Sequence, residues 1–344
     1  MSVKIGLVGC GKQAVKHIGG LRSSPEIEIV LADKDPSLAR ALGETEGLPS
    51  VEHPEDIFAD PAIAAVDLCV PTPFHAPLIR RATAAGKHFF CEKPLCESLA
   101  DARDICRLVR HSRRVGMVGY VYRHAPVFQR ARAILAGACE TGASPVIGKI
   151  AVATMRIGGR GSAALWKHRA AQGGGAVNEM LVHMLDLAIW YFGPVEEAEI
   201  LMQDLLRPRR SIAGRLETVD AEDFVLARFR TRSGVPVVIQ ADLVSPAFTQ
   251  TLEVQGDNGT LMASIQPEMP QFVFAVRAAG GYEAGHTALG GDQVNLFEAQ
   301  MAAFVAAVRA DIPAAHGTLA DAVQVMEAVE LLRHDAADRA LRRG

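Results

Sequence analysis

Ionisable residues sit where a buried strand would be expected simply to end. In "HFFCEKPL" (88–95), the apolar run Phe89-Phe90-Cys91 passes without a spacer into Glu92, Lys93 and Pro94. A carboxylate, an ammonium and a residue that cannot continue a ladder fit either a solvated turn or a site at the carboxyl end of a strand. A second constellation follows Gly173-Gly174-Gly175, where Glu179, His183 and Asp186 are spaced by four and three. On an α-helix this spacing puts two carboxylates and an imidazole on one face. Such a stack suits proton transfer, and a core histidine held by a partner would look the same. A lone H-x-x-D is weak support for a metal, and none is expected.

The third constellation is Gly9-Cys10-Gly11-Lys12-Gln13-Ala14, a G-x-G-x-x-A turn between an apolar run and a helical pattern. The first glycine suits a tight turn and the second a close approach of backbone to a pyrophosphate. Ala14 is small enough for helix to pack on strand. The helix start would then face the anion. Asp33 ends the next apolar run, at the spacing of a carboxylate on a ribose 2′-hydroxyl. Lys34 follows and could accept a 2′-phosphate, so NAD is expected and NADP is the alternative.

The elements that must hold these groups change style along the chain. Strands are expected at 3–9, 27–33, 64–70, 88–91 and 114–120, alternating with helices from about Lys12, after Pro36, at 75–86 and at 98–111. Val-, Ile- and Leu-rich strands alternating with helices predict a doubly wound parallel sheet, the Rossmann class of α/β fold. After a helix at 126–137, alternating segments at 149–157, 224–230, 236–243, 249–256 and 260–265 predict a large, mainly antiparallel sheet in an α+β domain. Helices at 293–309 and 318–341 close the chain. The expected domains are 1–121 for the dinucleotide and 122–344 for substrate, with the C-terminal helices packing back on the first.

Composition narrows the function classes. With 344 residues there is room for two cores, and 49% hydrophobic residues make the chain globular. A net charge of −3 without a block of like charge gives no footprint for nucleic acid. No apolar run is long enough for a bilayer, so no membrane partner is expected. The six cysteines form no C-x-x-C pair, which points to a reducing, cytoplasmic compartment.

Five segments in order resemble the Gfo/Idh/MocA family of NAD(P)-dependent oxidoreductases, named for glucose–fructose oxidoreductase, inositol dehydrogenase and a rhizopine-catabolism protein. They are "GLVGCGKQA" (6–14), "CVPTPFHAPL" (69–78), "AGKHFFCEKPL" (85–95), "GYVYRHAP" (119–126) and "GGGAVNEMLVHMLDLAIWYFG" (173–193). The resemblance runs almost end to end. It implies that Glu92 lies near the nicotinamide ribose and Lys93 near the reacting carbon, with Pro94 shaping the turn through a cis bond. It also implies that Pro71, Thr72, His75 and Arg123 border the cofactor, that His183 is catalytic, and that Trp166 and Lys167 wall the substrate pocket.

The family commonly has aspartate where this chain has Glu179, so that carboxylate either tunes His183 or binds substrate. The implied activity is hydride transfer between nicotinamide and a hydroxyl or ketone of a sugar, inositol or sugar derivative, by a homo-oligomer, a dimer or tetramer. Alternatives are a redox-assisted glycosidase or lyase that keeps its NAD, and a non-enzymatic sugar or dinucleotide sensor.

Overall fold

The computed structural model describes residues 2–290 and 293–343, with side chains described up to 336. The chain divides into two compact units. One comprises the residues up to His124 together with Val294–Val323; the other comprises Ala125–Gln293 with the chain from Gln324.

In the first unit, strands β1 (Val3–Val8), β2 (Ile27–Ala32), β3 (Ile63–Leu68), β4 (His88–Cys91) and β5 (Gly116–Val118) alternate with helices α1 (Lys12–Arg22), α2 (Pro36–Glu46), α3 (Pro54–Ala59), α4 (His75–Ala84) and α5 (Leu99–Ser112). The strands pair in parallel in the order β2-β1-β3-β4-β5. They are apolar on both faces because helices cover both. Strand order reverses between β1 and β3, and ligands in such sheets bind beyond the carboxyl ends at that switch.

The second unit starts with α6 (Pro126–Ile134), α7 (Ala138–Thr141), β6 (Ala143–Ser144) and β7 (Gly148–Gly158). A π turn at Val177–Leu181 runs into α8 (Val182–Phe192). Strands β8 (Val195–Asp204), β9 (Arg209–Ile212), β10 (Arg215–Thr218), β11 (Phe224–Thr231), β12 (Pro236–Asp242), β13 (Thr249–Gly256), β14 (Gly259–Ala263), β15 (Phe272–Ala275) and β16 (Gly285–Ala288) follow. Among the described residues, β16-β15-β14-β13-β7-β12-β11-β8 form one sheet with β6 beside β7, and β9 pairs with β10 separately. The large sheet is mainly antiparallel, with one parallel pair, β7 and β12.

Helix α9 (Leu296–Ala310) returns to the first unit, and α10 (Leu319–Arg343) starts there before entering the second. Met301, Phe304, Val305 and Val308 of α9 share one apolar core with Ile5, Leu7, Ile18, Leu21 and Phe90. The helices meet closely at Gly20, where an added Cβ would lie 2.7 Å from the Phe297 carbonyl oxygen. No helix among the described residues is long and apolar enough to cross a membrane.

Candidate active site

The glycine turn meets the requirements of a dinucleotide. Gly9 takes φ +99°, and a Cβ there would stand 2.6 Å from the Cys69 carbonyl oxygen, so only glycine fits. Gly11 starts α1 with no side-chain cap and no acidic residue in the first turn. The helix therefore keeps backbone N–H groups and its positive pole for an anion. Ala14 is fully buried, while Lys12 is exposed and Gln13 half-buried. Asp33 stands at the carboxyl end of β2, where Cys10 N–H and Asp35 N–H donate to its carboxylate at 2.7 and 3.0 Å. Lys34 lies over the exposed ring of Phe74, 5.7 Å from its centroid. These features fit NAD, with the Asp33 carboxylate fixed by backbone at the carboxyl end of β2.

Glu92, Lys93 and Pro94 follow β4 directly, and the Lys93–Pro94 peptide is cis. Glu92 is far from a solvated turn residue. Its Oε1 accepts from Gln13 Nε2 at 2.9 Å and lies 2.9 Å from His17 Nε2; its Oε2 accepts from Lys93 N–H at 3.2 Å. Burial would raise this carboxyl, but the His17 hydrogen bond and charge, then Lys93 and Gln13, bring its pKa down to about 2. On its other side, His17 Nδ1 is 3.0 Å from both Asp67 oxygens and 3.1 Å from Cys69 Sγ. Burial opposes charge on this ring, yet Asp67 and Cys69 carry its pKa well above the usual imidazole range.

Sequence reasoning missed His17 and Asp67. The available signal was an aspartate inside the apolar strand "AAVDLCV". Ligand atoms of His17, Asp67 and Cys69 lie within 4.8 Å of one another, as a metal donor set would. An imidazole that donates N–H to Asp67 has no lone pair left at Nδ1 for a cation.

The remaining residues expected at the cofactor divide by burial. Pro71 and Thr72 open the turn after β3, with Thr72 buried. His75 is 1% exposed, and its ring nitrogens lie 2.8 Å from the carbonyl oxygens of Val70 and Pro94. It braces the loop after β3 against the E-K-P turn, and burial lowers its pKa. The Arg123 guanidinium is also buried, 3.1 Å from Asp321 at the start of α10. His75 thus ties together backbone at the carboxyl edge of the sheet.

In the second unit the expected stack begins on a π turn and continues onto α8. Val182 N–H bonds back to Val177 O, five residues earlier. Glu179 lies within the π turn, while half-buried His183 and buried Asp186 follow on α8. Lys167 Nζ donates to Glu179 Oε2 at 2.6 Å and lies 5.2 Å from the Trp166 ring centroid. Trp166, Lys167 and Glu179 are thus brought together. A further carboxylate, Glu222, accepts from Val177 N–H at 3.1 Å at the start of the π turn, and burial raises its pKa. Nothing in its acidic neighbourhood, "DAED", distinguished it as sequence.

Residues 3–120 match the GFO_IDH_MocA oxidoreductase family, described by an NAD-binding Rossmann fold, and residues 128–262 match the GFO/IDH/MocA C-terminal domain. An inositol 2-dehydrogenase of Acidothermus cellulolyticus is 30% identical over 77% of this chain and 74% of its own. A D-apiose dehydrogenase of Paraburkholderia graminis is 30% identical over 75% of this chain and 66% of its own. A solved levoglucosan dehydrogenase, in complex with NADH and levoglucosan, has the same fold, with a TM-score of 0.83 over 98% of each chain at 21% identity.

Proposed function

The chain belongs to the GFO/IDH/MocA oxidoreductase family, and from that premise we propose that it is an NAD-dependent dehydrogenase acting on a secondary hydroxyl of a sugar or cyclic polyol. One observation carries the reading. An NAD-accepting glycine turn and an E-K-P turn, its glutamate held ionised, stand at the carboxyl ends of strands in one parallel sheet. Dehydrogenases of inositol and apiose among the relatives favour net oxidation over the redox-assisted and sensor alternatives.

The cofactor, when bound, supplies the hydride acceptor. His183 takes the substrate hydroxyl proton as general base. Lys93 stabilises the negative charge that develops on that oxygen, a contribution concentrated in the transition state. Lys167 and Glu179, already an ion pair at 2.6 Å, offer a donor and an acceptor for neighbouring hydroxyls of a polyol. Trp166 supplies an apolar face for the C–H side of a sugar ring. In reduction the same groups act in reverse.

A screen of inositols, pentoses and anhydrosugars with NAD and with NADP, followed by the absorbance of reduced cofactor, tests the reading. Turnover with NAD on at least one polyol is expected. Sugar binding without turnover across the screen would favour a sensor; glycoside cleavage without net NADH would favour the redox-assisted hydrolase.

A further inference from the structure

We propose that His17 is the positioning residue of the cofactor site: a doubly donating imidazolium that fastens the Glu92 carboxylate to helix α1 and so fixes the turn presenting Lys93. The proposal rests on the reading above, in which NAD lies along the carboxyl edge of the sheet. With the pyrophosphate at the start of α1 and the adenosine ribose at Asp33, the nicotinamide half falls toward the ends of β3 and β4.

The geometry states the protonation. A carboxylate can only accept, and the Asp67 and Glu92 carboxylates lie against the two ring nitrogens of His17 at 3.0 and 2.9 Å. Each ring nitrogen therefore carries a proton. Asp67 and Cys69 face it from β3 and the loop that follows, Glu92 from the turn after β4, and Gln13 from its own helix. Phe90 and Phe297 cover it edge-on and obliquely, at centroid distances of 5.3 and 5.9 Å. The Cys69 thiol, pushed up to about 12 chiefly by burial, stays neutral. The two carboxylates thus share one buried cation. His17 and Asp67 are fully buried, while Glu92 keeps 16% of its side chain exposed. The exposed end is the one offered to a ligand; the buried end is held.

A residue that merely fills the core would affect the whole cofactor site. A positioning residue acting through Glu92 affects only the nicotinamide half. The test compares dissociation constants of NADH and ADP for the wild type, His17→Asn, Glu92→Gln and the double variant. His17→Asn should weaken NADH roughly ten- to a hundredfold, the range for losing a hydrogen bond to a charged group, while leaving ADP within about threefold. In the Glu92→Gln background the same change should add less than about threefold. Equal weakening of ADP and NADH, or full additivity of the two substitutions, would overturn the proposal.

Nitrogen NMR of the wild-type imidazole provides a test that needs no variant. Both ring nitrogens should be protonated and should not titrate between about pH 5 and 9. A ring that loses a proton in that window would equally overturn it. Wild-type protein that binds NADH no more tightly than ADP would instead sink the placement of the nicotinamide half, and with it the reading on which this rests.

Discussion

The side chains proposed for chemistry make separable demands, and each can be tested alone. Lys93→Ala should leave NADH binding nearly intact and lower turnover by about 10²–10³, because its charge matters most as the substrate oxygen becomes an alkoxide. Near-normal kcat on the true substrate would return the E-K-P segment to a turn. His183→Asn should cost on the order of 10²–10⁴ in kcat with little change in cofactor affinity, the range for losing a general base. The wild-type rate of oxidation should fall toward acid, as the imidazole gains a proton and can no longer accept one. Kinetics across about pH 5–9 should show the variant without that limb. Asp33, held by two backbone N–H groups, would accept from ribose hydroxyls and repel a 2′-phosphate if it lies at the ribose as proposed. Asp33→Ser should weaken NAD and raise relative use of NADP; a wild type that already prefers NADP strongly would transfer the role to Lys34.

At the scale of the elements, the proposed groups stand on two turns of unusual backbone, one in each unit. The π turn at Val177–Leu181 carries Glu179, whose carboxylate accepts from Lys167. The turn after β4 is braced by His75 through the Pro94 carbonyl and by His17 through Glu92. That bracing has a consequence for stability. The Glu92 pKa is lowered in the folded state, from 4.5 to about 2. A depressed carboxyl contributes stability above its unfolded pKa, and the contribution is lost as pH falls through the folded value. The difference in denaturant midpoint between wild type and Glu92→Gln should therefore be largest at neutral pH. It should close as pH is lowered from 4.5 toward 2. A gap that persists unchanged at the acid end would mean that the carboxylate is not held by His17.

Across the whole molecule, chain order and unit membership part company. The cofactor unit takes α9 from far along the chain, and Phe304 of that helix packs against Phe90 of β4 with ring centroids 5.7 Å apart. Phe304→Ala should destabilise the protein by about 3–5 kcal/mol, the usual range for emptying a buried aromatic site. Saturating NADH should restore part of the loss, about 2.7 kcal/mol at a hundred times its dissociation constant, because ligand and helix act on the same unit. Thermal melts with and without NADH check both numbers. A variant with unchanged melting would place α9 outside the cofactor core.

Much of this was legible in the residues themselves. The parallel sheet could be read because its strands are apolar on both faces and each is followed by turn chemistry and a helix. The glycine turn, Asp33 and the E-K-P segment are local patterns whose meaning depends on neighbours a few residues away. Strand β8 was not legible. Its Glu197 and Glu199 make it look polar, and only pairing with β11 sets them against Arg230 and Arg228. The π turn was hidden as well, since one extra residue per turn leaves no mark in a periodicity of three and four. His17, Asp67 and Glu92 lie on three separate elements. Each alone is a polar residue in or beside an apolar segment, and burial makes each unfavourable without the others. Only the folded sheet, which brings the ends of β3 and β4 to the side of α1, puts one cation between two carboxylates and turns three isolated anomalies into a clamp.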